Sequence, residues 1–84
     1  MGILVRMTPA QQLLENKKQY LISLGWTCGA CSSCGTVDCL NNQYKDYMIK
    51  ISSSLAKIFL NGRVVAAVAL YGLQKAMKQN NLIT

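Results

Sequence analysis

The chain has 84 residues, 51% of them hydrophobic and 14% charged, and nine Lys and Arg against three Asp and Glu give a formal net charge of +6. That length supports one small domain, 1–84, whose core supplies only about 3–5 kcal/mol unless a staple, a metal or a partner adds to it. The apolar content excludes a disordered chain, and the absence of histidine excludes an imidazole base, a histidine metal ligand and a Ser–His triad.

In the first residues, the apolar run Ile3–Val5 is three long and is followed by Arg6. It is too short for a secretory signal, so a particle-bound or cytoplasmic location is expected. Thr8, Pro9 and Gln11 then read as a helix start, with Thr-x-x-Gln as a capping box and Pro at the first helical position. Leu13, Leu14, Tyr20, Leu21 and Leu24 recur at helical spacing. Gly25 supplies a residue able to take positive φ after the last turn. A helix is predicted over about 9–24.

Residues 25–41 read as a loop. Gly25, Gly29, Gly35, Ser32, Ser33, Asp38 and Asn41 are turn formers. All four cysteines fall here, as Cys28, Cys31, Cys34 and Cys39, in a C-x2-C-x2-C-x4-C pattern. Structural zinc is the first reading, since four thiolates make a closed tetrahedral site that adds folding free energy. The last gap departs from the paired C-x2-C spacing of zinc ribbons. Disulfides are the competing reading, and four cysteines allow three pairings that spacing does not separate. An iron–sulfur cluster fits less well, because no proline follows Cys39 and no second motif exists.

Tyr44, Tyr47, Met48, Ile51, Leu55, Ile58 and Phe59 follow the 3, 4, 7 spacing of one helical face. A second helix is therefore predicted over about 42–60. Asn61-Gly62 has two readings: a helix end followed by a new helix, which the helix formers on both flanks favour, or a β-hairpin turn. A third helix over about 63–79 would be apolar nearly all round from Val64 to Leu73, with Lys75 and Lys78 at its end. The uncharged stretch is about half of the roughly 20 residues a membrane span needs. The fold class expected is small all-α: two to three helices around a loop stapled by its cysteines.

No phosphate loop, paired carboxylates or nucleophile elbow is present, and Ser52–Ser54 has no base beside it, so no enzyme is expected. The excess of apolar faces over what 84 residues can cover points to a structural or interaction subunit of a larger assembly, such as a phage or viral particle. The docking residues expected are Tyr47, Met48, Ile51, Leu55, Ile58, Phe59, Val65, Val68, Ala69 and Gly72. A basic zinc knuckle that binds nucleic acid is the alternative, with Trp26, Tyr44 and Tyr47 as stacking groups, although the loop from Gly25 to Leu40 contains no Lys or Arg. A membrane-associated protein is a further alternative, with Lys57, Arg63, Lys75 and Lys78 at headgroups.

Overall fold

The structure is a computed structural model and describes residues 9–31 and 36–83, without the side chains of residues 30 and 31. The elements run α1 (Pro9–Ser23), β1 (Thr27–Cys31), β2 (Thr36–Leu40), a 3-10 turn (Asn42–Tyr44), β3 (Tyr47–Ile51), β4 (Leu55–Leu60), β5 (Arg63–Ala69), a 3-10 turn (Leu70–Gly72) and α2 (Leu73–Gln79). The five strands form one antiparallel sheet in chain order, β1-β2-β3-β4-β5.

The all-α expectation is overturned. The helix expected over 42–60 is a 3-10 turn and two strands, and that expected over 63–79 is a strand, a 3-10 turn and a short helix. The expected loop 25–41 contains β1 and β2. The physical reason is that the buried residues alternate. Ile49 and Ile51 in β3, and Ala56 and Ile58 in β4, are fully buried, while Lys50 and Lys57 between them point the other way. Ser52–Ser54 breaks the run as a turn. Ser52 N donates to the carbonyl of Leu55 at 2.8 Å, and Leu55 N donates to Ser52 Oγ at 3.3 Å. The hairpin reading of Asn61-Gly62 is the one observed. Both residues have positive φ, 52° and 83°, which marks a type I′ turn whose twist matches the flanking strands. Residues 55–73 are thus two strands with the turn between them, a 3-10 turn and the first residue of α2, and among the described residues no helix is long and apolar enough to cross a membrane.

The helix over 9–24 is found as Pro9–Ser23, while Thr8 of its capping box lies outside the described residues. Its end is a Schellman motif. Trp26 N donates to Leu21 O and Gly25 N to Ile22 O, both at 3.0 Å, with Gly25 at φ 97°. Leu21 and Trp26, the acceptor and donor of the bond that spans more of the chain, are both buried. α2 ends the same way. Leu82 N donates to Met77 O at 2.9 Å and Asn81 N to Lys78 O at 3.1 Å, with Asn81 at φ 59° and with Met77 and Leu82 both buried. Each cap therefore returns the chain into the core.

α1 and α2 share one face of the sheet. Val37, Cys39, Ile49, Ile51, Ala56 and Ile58 from the strands meet Leu21, Trp26, Leu70, Leu73, Ala76, Met77 and Leu82 in one core. α1 lies against β1 and the Leu70–Gly72 turn, and α2 against β4 and β5. Trp26 stacks on Tyr44 with ring centroids 6.1 Å apart.

Candidate interaction surface and cysteine pair

The register places Cys28 directly opposite Cys39 in the β1–β2 ladder. Their Cα atoms are 4.2 Å apart, the close approach of a pair that does not exchange backbone hydrogen bonds. The two sulfurs are joined in a disulfide, with Cys39 fully buried against the core and Cys28 half-buried. The bond ties the outer strand β1 to the rest of the sheet. Closing a loop of this length is worth roughly 3 kcal/mol by the chain-entropy argument.

This pairing bears on the zinc reading of Cys28, Cys31, Cys34 and Cys39. Two sulfurs bonded to each other are not thiolate ligands, and among the described residues no group of three or more metal-ligating side chains comes together. The staple at Cys28 and Cys39 is thus covalent, and zinc has no support. The side chain of Cys31 and the whole of Cys34 lie outside the described residues.

The sheet face turned away from the helices is the larger feature. Strand alternation and register order it into rows. The first runs Leu40, Met48, Phe59, Val64 across four strands. The second runs Asp38, Lys50, Lys57, Ala67. Beyond it stand Thr36 on β2 and the opposed pair Leu55 and Ala69 on β4 and β5. Leu40, Leu55 and Val64 are 55%, 47% and 51% exposed. No described element packs over this face.

The middle row carries the charge. Lys50 stands between Asp38 on β2 and Lys57 on β4, directly opposite each. Its Nζ lies 5.7 Å from the centroid of the Phe59 ring, within cation–π range. Asp38 Oδ1 is buried, with no hydrogen-bond partner among the described residues. Beside the two lysines a hollow of about 230 Å³ opens, with Thr36, Ser52, Ile51 and Leu55 as its other walls.

The expected docking residues divide between the faces. Ile51 and Ile58 are fully buried, with their side chains in the core. Tyr47 and Val68 pack partly against that core. Met48, Phe59 and Leu55 do share the open face, and Ala69 lies opposite Leu55. Val65 is exposed beside the register shift that lies between Ile58 and Phe59, and Gly72 is in the turn before α2. Leu40, Val64, Lys50 and Lys57 are brought into the same surface but are not among the expected docking residues. The signal that would have found them is the two-residue alternation about Ile49, Ile51, Ala56 and Ile58. Of the expected stacking groups, Trp26 is 2% exposed and already stacked on Tyr44, so its ring faces are not open to a base.

No protein-family model, no curated protein and no solved structure matches this chain.

Proposed function

We propose that the chain is a non-enzymatic interaction subunit that docks through the open face of its sheet onto another protein of a larger assembly. The observation that carries this reading is the apolar row Leu40, Met48, Phe59 and Val64, laid across four strands with its two ends more than half exposed. An antiparallel sheet is normally polar on its solvent side. A row of large apolar groups there contributes nothing to the core and is the kind of patch that marks an interface. Lys50 and Lys57 beside it give the partner surface a required sign, since a basic patch selects an acidic counterpart. The disulfide fits the same role, because it holds the outer strand of a thin sheet in place without a large core.

The test is the native mass of the chain isolated from its source, followed by lysine-reactive cross-linking. The expected result is a species larger than the chain, cross-linked to other proteins through Lys50 and Lys57. A Leu40→Asp, Val64→Asp double variant, folded by circular dichroism, should run at the mass of the free chain. A wild-type chain that runs at its own mass, or a variant that assembles as well as wild type, would overturn the reading. Dispersal of the larger species by nuclease would favour nucleic acid as the partner instead.

A further inference from the structure

We infer that the hollow beside Lys50 and Lys57 is a carboxylate-binding site, and that the partner presents to it an acidic side chain flanked on both sides by apolar ones. This rests on the reading of the open face as a docking surface and specifies what that surface accepts.

Lys50 and Lys57 are directly opposite across β3 and β4. Like charges so placed repel. Asp38 lies across from Lys50 on the other side, so Lys57 has no acid opposite it: its β5 neighbour is Ala67. An anion placed over the two ammonium groups relieves the repulsion, and the hollow of about 230 Å³ gives it room.

The surroundings define the rest of the ligand. Leu55, Lys57 and Phe59 are successive same-face residues of β4, each about 6.5–7 Å from the next. The site therefore reads apolar, cationic, apolar along the strand. Its complement is a carboxylate with an apolar group about 7 Å to either side, a spacing that an extended segment of the pattern apolar-x-acid-x-apolar meets with alternate side chains. Bare phosphate or a nucleic-acid backbone satisfies the charges but leaves Leu55 and Phe59 facing a polar surface. A carboxylate on an apolar segment satisfies both.

The experiment is a titration of the isotopically labelled full chain, followed by amide chemical shifts, with a peptide of repeated Leu-Ser-Glu-Ser units. A matched Leu-Ser-Gln-Ser peptide and an oligothymidylate are the comparison probes. The expected result is saturable shifts centred on Lys50, Leu55, Lys57 and Phe59. Affinity should fall roughly tenfold with the Gln peptide, and by the same factor in a Lys50→Met, Lys57→Met variant, as for the loss of two exposed ion pairs. A Lys75→Met, Lys78→Met variant, altered on α2 by the same charge, should bind as wild type. Equal binding of the Glu and Gln peptides, equal loss in the two double variants, tighter binding of the oligothymidylate at these residues, or no saturable shift would each overturn the inference. If the chain still cross-links to protein partners in its native assembly, only the carboxylate specificity fails and the docking role stands.

Discussion

The two faces of the sheet are made by the same strands, residue by residue in alternation, yet they solve different problems. On the covered face Cys39, Ile49, Ile51, Ala56 and Ile58 are fully buried, under helices whose caps turn Trp26 and Leu82 into the same core. On the open face Leu40, Met48, Phe59 and Val64 are equally apolar, but no described element covers them. Hydrophobicity alone therefore does not separate core residues from open-face residues here. The pairing of each residue with a cover does, and the charges follow it: Asp38, Lys50 and Lys57 all stand on the open side.

The sharpest way to break this contrast is to empty one covered position. Ile58→Ala removes buried methyl groups from the core strand that α2 packs against and is expected to cost about 2–5 kcal/mol, read as a lower urea midpoint. Cys28→Ser with Cys39→Ser should come next, at roughly 3 kcal/mol. The same loss should appear in the wild type on adding a reductant and leave the double variant unchanged. Gly62→Val places a branched side chain at φ 83° in the β4–β5 turn. A loss of about 1–2 kcal/mol is expected in thermal unfolding, although nothing stands within reach of the new Cβ. Leu40→Ser, on the open face, should change stability by no more than about 0.5 kcal/mol and yet weaken assembly. A large loss of stability from Leu40→Ser would mean that the open face is structural after all.

How far the sequence reveals this arrangement differs along the chain. α1 is legible because its signals agree: a proline at the start, leucines at helical spacing and a glycine just past the end. From Tyr44 onward they conflict. The stripe Tyr44, Tyr47, Met48, Ile51, Leu55, Ile58, Phe59 matches a helical face, but it passes over Ile49 and Ala56, which are completely buried. Two short strands joined by three serines place apolar residues on both faces, and residues from opposite faces together imitate a helical period. The run Val64 to Ala69 is ambiguous for a related reason, being apolar on both sides of β5. Asn61-Gly62 held the deciding information, since its two positive φ values belong to a hairpin whatever the flanks prefer alone. In the candidate site, the four cysteines were plain in the sequence, while the choice of Cys39 for Cys28 follows from the β1–β2 register, a relation between strands that spacing does not carry. The open face is half legible: the apolarity of Met48, Leu55 and Phe59 marks them, but it groups Ile51 and Ile58 with them, because a helical face does not distinguish the two sides of a sheet.

The strand order has a kinetic consequence. Each strand pairs with the one before it in the chain, across connections of two to six residues. No pairing waits for a distant segment to diffuse home, and each closure carries a small entropy cost. Such short-range pairing belongs to the fast end of β-protein folding, where hairpins form on the order of microseconds. The sheet can zip from the Asn61-Gly62 turn outward. α1 and α2, the two ends of the described chain, meet in the same core, so closing it is the step that joins segments far apart in sequence.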